Sequence, residues 1–149
     1  MIDPNNICYK CMTPLPEDGK FCLHCGTPRD TLRNETNQLP IGSILAGKYL
    51  VGCALGQGGF GVTYIGWELN LDRKLAIKEF YPEGFVSRDQ TTQCTVVPLA
   101  GDRGTFFQRG REKFVEEART LTKFTEDPGV VSVYDFFNEN GTAYIVMDY

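Results

Sequence analysis

Residues 56–61 read Gly56-Gln57-Gly58-Gly59-Phe60-Gly61, four glycines in six positions. Glycine costs backbone entropy in a strand or a helix, so the run is a turn that lets backbone N–H groups come close to something. Phosphate oxygens are the commonest such partner. Dinucleotide-binding folds use a similar glycine pattern, but there its last glycine opens a helix. Here Gly61 is followed by Val62-Thr63-Tyr64-Ile65-Gly66-Trp67, a β-branched and aromatic run, and preceded by the strand-like Tyr49-Leu50-Val51-Gly52-Cys53-Ala54-Leu55. The glycines therefore cap a β-hairpin, which predicts a lid over a nucleotide.

Downstream, Lys74-Leu75-Ala76-Ile77-Lys78-Glu79-Phe80 alternates as a third strand with Lys78 near its end. A strand lysine alone is ordinarily a solvated edge residue, but a phosphate tail under a glycine lid calls for a cation. On these residues the chain resembles the eukaryotic-type protein kinase family, whose glycine-rich loop and V-A-I-K lysine match residues 56–63 and 75–78. Thr63 is a departure, standing where the family has valine, with Val62 beside it. The resemblance implies that Gly56, Gln57, Gly58, Gly59, Phe60 and Gly61 cover the phosphates of ATP and that Lys78 orients them. It also implies an adenine slot lined by Leu55, Thr63, Ala76 and Met147.

Residues 106–124 carry helical periodicity. In steps of about 100° from Phe114, Ala118, Leu121 and Thr125 fall within about 40° of it, with Glu117 about 60° off that stripe and Glu116 near the opposite face. Two solvated glutamates are the ordinary reading. The family resemblance selects Glu117 as the helix carboxylate that pairs with Lys78. Residues 130–137 and 142–147 read as two further strands joined by a turn at 138–141. In the family the last strand runs into the hinge, so Met147 would be the residue beside adenine, with the backbone of Asp148 and Tyr149 meeting its edge. Residues 81–104 form a long connection punctuated by Pro82, Gly84, Pro98, Gly101 and Gly104. It contains an added strand-like run at 91–97 and reads as decoration on the lobe.

Cys8-x-x-Cys11 and Cys22-x-x-Cys25 are separated by ten residues. Two such knuckles bring four thiolates into a tetrahedron around one zinc ion. Paired disulfides are the alternative and would suit an exported chain, but residues 1–33 carry no apolar signal-peptide core. The segment resembles the zinc-ribbon family. About 25 residues bury too little apolar surface to fold alone, so the metal supplies their stability and its closed shell is structural. Cys53 and Cys94 have no partner at metal spacing and read as ordinary thiols.

The expected architecture is α+β. It comprises a zinc ribbon at 1–28, a polar linker at 29–44, and at 45–149 a kinase N-lobe of five antiparallel strands and one large helix. A net charge of −4 without a basic run argues against nucleic acid as a partner. No apolar stretch reaches the ~18 residues that a spanning helix needs, so a cytoplasmic protein with no membrane segment is expected. The catalytic loop and Mg²⁺ carboxylates of the family's second lobe have no counterpart in these residues. The chain is therefore expected to be the inactive N-lobe portion of a parent that transfers the ATP γ-phosphoryl group to protein Ser or Thr. Expected partners are protein substrates, a protein bound by the ribbon, and a second copy through the apolar face the second lobe would cover. The alternative is a pseudokinase or nucleotide-binding regulatory module with a ribbon interaction domain.

Overall fold

The computed structural model describes residues 2–124, 129 and 132–149; the expected stripe position Thr125, the helix breaker Pro128 and the strand start Val130-Val131 lie outside them. The glycine-capped hairpin forms as β2 (Tyr49–Gln57) and β3 (Gly61–Glu68), and β4 (Arg73–Phe80) pairs antiparallel with β3. Strands β7 (Val133–Glu139) and β8 (Thr142–Met147) close the sheet, β8 lying against β4. Their turn is the pair Asn140-Gly141 at φ 53° and 74°, the doubly left-handed geometry of a two-residue hairpin.

One more strand joins than the five expected. Ala46 and Gly47, at φ 51° and 69°, reverse the chain so that β1 (Ile44–Leu45) pairs with the start of β2. Its two residues are too few to show a period. The sheet order is β1-β2-β3-β4-β8-β7.

Helix α1 (Asp102–Leu121) starts four residues before the expected Phe106, because Gly101 at φ 81° makes the turn and Gly104 is carried inside the first turns. Phe107, Phe114 and Ala118 are its buried residues. The Phe80 ring sits 5.6 Å from the Phe107 ring and 5.3 Å from Phe114. A Cβ on Gly110 would come within 2.6 Å of Phe80 Cζ, so this turn of the helix has to be glycine for the ring to pass.

The 81–104 connection is more than decoration. It folds as a second, two-stranded sheet of β5 (Val86–Arg88) and β6 (Val96–Pro98), and Val86 and Val96 join the main core. Val96 N–H also donates to Asn140 O at 2.7 Å. At its centre is a buried charge pair, since Glu79 and Arg88 both have fully buried side chains. Arg88 donates to both Glu79 oxygens at 2.6 and 2.9 Å, and the Tyr64 and Tyr144 hydroxyls donate to the same carboxylate at 3.0 and 2.6 Å. The remaining Arg88 bonds go to Cys94 O and Asn37 O, each at 2.9 Å.

The 29–44 segment is a strap rather than a free tether. Leu39 is fully buried, and its N–H donates to the Tyr64 hydroxyl at 2.9 Å. Asn34 bonds the backbone of Gly52 and Ala54 on β2. The ribbon does not keep a separate core either. Ile2, Ile7 and Met12 form one buried cluster with Ile65 of β3, and Cys53 N–H donates to Tyr9 O at 2.9 Å. A Cβ on Gly52 would lie 2.6 Å from both Met12 Cε and Tyr9 O, so β2 carries a glycine where the ribbon docks.

Candidate functional site

Strand register makes neighbours of several residues expected to line the slot. Thr63 is the direct partner of Lys78, Ile65 of Ala76, and Ala76 of Met147. Successive side chains point to opposite faces, so Thr63, Ala76 and Lys78 share one face while Ile77 and Glu79 take the other. Ile65 shares the face of Thr63, so the ribbon that packs on Ile65 stands on the slot's own side of the sheet. Ala76 is buried, Thr63 and Met147 are half-buried, and Leu55 and Lys78 are exposed.

The lid is folded onto the start of the insertion. Phe60 O accepts from Tyr81 N–H and Gly59 O from Glu83 N–H, both at 3.0 Å, and Gly58 N–H donates to Gly61 O at 2.9 Å. Its glycines differ in kind. A Cβ on Gly61 would meet Glu79 O at 2.5 Å, so that position is small because β3 and β4 run close together. At Gly56, Gly58 and Gly59 a Cβ would meet nothing within 4 Å, and φ is not left-handed. Neither packing nor backbone conformation asks for glycine there.

Glu117 lies on an exposed part of α1, and among the described residues no ion pair links it to Lys78. At the far end of the slot, Asp148 N–H donates to Ser132 O at 3.0 Å and its carboxylate accepts the Tyr134 hydroxyl. Its N–H is thereby engaged.

At the N-terminus the four expected sulfurs come together. Cys8 and Cys25 Sγ lie 3.5 Å apart, Cys11 and Cys22 Sγ 3.6 Å apart, and all four fall within 4.8 Å of one another. A tetrahedron with Zn–S bonds of about 2.3 Å has edges of about 3.8 Å, so the donor set fits that ion. The knuckles repeat at a 14-residue offset: Cys8 N–H bonds Thr13 O and Cys22 N–H bonds Thr27 O, each at 2.9 Å. Met12 and Gly26 hold the matching left-handed positions at φ 61° and 77°. Gly26 has open space around it, whereas Met12 accepts the strained angle and fills the interface with β2 and β3.

Burial pushes the Cys8 thiol up to about 12. The Thr27 hydroxyl and backbone N–H bring Cys25 down to about 6. Burial opposes ionisation of Cys22, yet N–H donors from Cys25 and His24 leave it below its ordinary value. A bound cation deprotonates such thiols outright, and sulfurs held this close are better suited to sharing one than to remaining thiols.

Sequence reasoning missed Arg88 and the burial of Glu79. A signal existed for Glu79, since period two from Leu75 and Ile77 puts it on a core-facing row, where a carboxylate requires a partner. Nothing marked Arg88 as that partner, because β5 is only three residues long. The side chains of Gln38 and Gln57, which bond each other at 2.9 Å, carried no sequence signal.

No family model matches the chain. It is 26% identical over 161 aligned residues to the serine/threonine-protein kinase PknG of Mycolicibacterium smegmatis, covering 99% of this chain and 18% of that protein. It is 31% identical over 110 residues to the serine/threonine-protein kinase Pkn2 of Myxococcus xanthus, covering 74% of this chain and 11% of that protein. Among solved structures, the apo form of PpkA-294 superposes with a TM-score of 0.70 at 34% identity, over 76% of this chain and 39% of that one. The chain thus spans less than a fifth of the length of these curated relatives.

Proposed function

We propose, from its kinship with bacterial serine/threonine protein kinases, that the chain is the ATP-binding lobe of such an enzyme. The observation that carries this reading is the pairing of the slot with the lid. Thr63, Ala76, Lys78 and Met147 are brought together by register, next to three glycines that the fold itself does not require. Glycine at 56, 58 and 59 puts no side chain between the backbone and phosphate oxygens, while Lys78 supplies a cation on the same face. Adenine would lie between Leu55, Thr63, Ala76 and Met147, with the Asp148 backbone at its edge. The activity of the whole protein is transfer of the ATP γ-phosphoryl group to a protein Ser or Thr. This chain contributes binding and orientation, and the Mg²⁺ ligands and catalytic base come from outside it.

In the same reading Cys8, Cys11, Cys22 and Cys25 hold one zinc ion, which cross-links the two knuckles and leaves no open coordination position. A nucleotide-binding regulatory module is the second reading, favoured by the absence of a Lys78–Glu117 ion pair among the described residues. ATP titration of the wild-type chain and Lys78→Ala tests nucleotide binding. Without a second lobe, saturable binding of about millimolar strength is expected, weakened severalfold in the variant. Equal binding by the two would remove Lys78 from the site.

A further inference from the structure

The glycine lid is made of residues with the widest backbone freedom, and Gly58 and Gly59 have no neighbour close enough to restrain a side chain. Such a loop loses entropy whenever it settles over a ligand, and anything that settles it beforehand raises affinity. The base of the lid has such a restraint. Gln57, the last residue of β2, donates from Nε2 to Glu83 Oε1 at 3.0 Å and accepts at Oε1 from Gln38 Nε2 at 2.9 Å. Both ends of one side-chain amide are thus engaged, one by the insertion and one by the strap.

Each partner is itself held. Gln38 is buried, and its Oε1 accepts from Glu35 N–H at 2.9 Å. Its neighbours are tied down on either side, Asn37 O by Arg88 and Leu39 N–H by the Tyr64 hydroxyl. Glu83 uses its own N–H on Gly59 O, so one residue grips the lid at its tip through backbone and at its base through side chain. We infer that Gln57 is a positioning residue for the lid, clamped between Gln38 of the strap and Glu83 of the insertion, so that the strap sets the conformation in which the lid meets a nucleotide. The geometry of the clamp stands by itself; its consequence for nucleotide rests on the function proposed above.

The polarity of the clamp permits a reversal test in the zinc-loaded full chain. Gln57→Glu sets two carboxylates against each other. Adding Glu83→Gln exchanges donor and acceptor and restores the bond, while Gln38 Nε2 still finds an acceptor. The readout is hydrogen exchange at the amides of Gly58, Tyr81 and Glu83, whose protons are held in the lid's own bonds. Gln57→Glu should speed exchange there about fivefold, the factor for one net hydrogen bond, with the amides of Ile77 and Val146 unchanged. The double variant should return to within about twofold of wild type. Gln38→Ala should speed the same three amides. Unchanged exchange in Gln57→Glu, or no recovery in the double variant, overturns the clamp. ATP affinity measured on the same proteins should fall and recover in parallel with exchange. If the amides respond but no protein binds ATP saturably, the clamp stands and the nucleotide reading fails.

Discussion

Replacing Arg88 with methionine should be among the most damaging single changes in the lobe. The substitution keeps most of the apolar volume and removes the four hydrogen bonds that the guanidinium makes to Glu79, Cys94 O and Asn37 O. Among the described residues, the Glu79 carboxylate then stays fully buried with the Tyr64 and Tyr144 hydroxyls as its remaining donors. Removing one partner of a buried pair costs about 3–5 kcal/mol, because the remaining charge has lost its compensation. Small domains have about 5–15 kcal/mol in total, so roughly a fifth or more of the stability is at stake. With an m-value of about 2 kcal/mol/M, the urea midpoint should fall by roughly 2 M. Combining Glu79→Leu with Arg88→Met removes both charges and should restore stability to within about 2 kcal/mol of wild type. Urea denaturation of the zinc-loaded chain, followed by far-ultraviolet circular dichroism, measures all three proteins. A cost below about 1 kcal/mol for Arg88→Met, or a double variant as unstable as the sum of its parts, would refute the buried-charge argument.

Metal analysis should find one zinc per chain, and chelation or Cys22→Ser should unfold the ribbon and also lower the midpoint of the lobe, since Met12 and Ile65 share a core; a folded, metal-free ribbon would contradict this. Gly52→Ala should cost about 1–3 kcal/mol and expose the ribbon–lobe junction to protease, because the new methyl meets backbone at Tyr9 O; wild-type stability and protease resistance would count against the docking. Burial first, and the Glu79 carboxylate second, raise the Tyr64 and Tyr144 hydroxyls above their ordinary value. The folded state therefore keeps phenolic protons that the unfolded chain gives up, so this contribution is complete below about pH 10 and is lost as pH rises further. Denaturation midpoints that rise above that pH would reverse the sign of the argument.

Much of this organisation was legible in residue order. The hairpin around 56–61, the third strand and the cysteine knuckles each rest on local signals, such as glycine crowding, period two and C-x-x-C spacing. Register makes Thr63 the partner of Lys78 and Met147 the partner of Ala76. What stayed hidden was contact between segments that have no period. The strap reads as polar linker because its anchors are single residues, Asn34, Gln38 and Leu39, scattered among solvated ones. The ribbon's attachment draws on Ile2, Ile7 and Met12 from one side and on Gly52 and Ile65 from the other, and none of these is unusual in isolation. The insertion's place in the core depends on Val86, Arg88 and Val96, in strands of three residues each, below the length at which alternation can be recognised.

The neighbouring positions Lys78 and Glu79 carry opposite charges and point to opposite faces of β4. A strand displaced by one residue exchanges its two faces. For most strands that error trades apolar side chains for polar ones, but in β4 a slip that brings Lys78 to the place of Glu79 would present a lysine ammonium to the buried guanidinium of Arg88 and send the matching carboxylate into solvent. Two like charges would then meet where water cannot reach them. The buried pair thus works as an alignment key, rejecting the frame-shifted sheet electrostatically and holding Lys78 on the face it shares with Thr63 and Ala76.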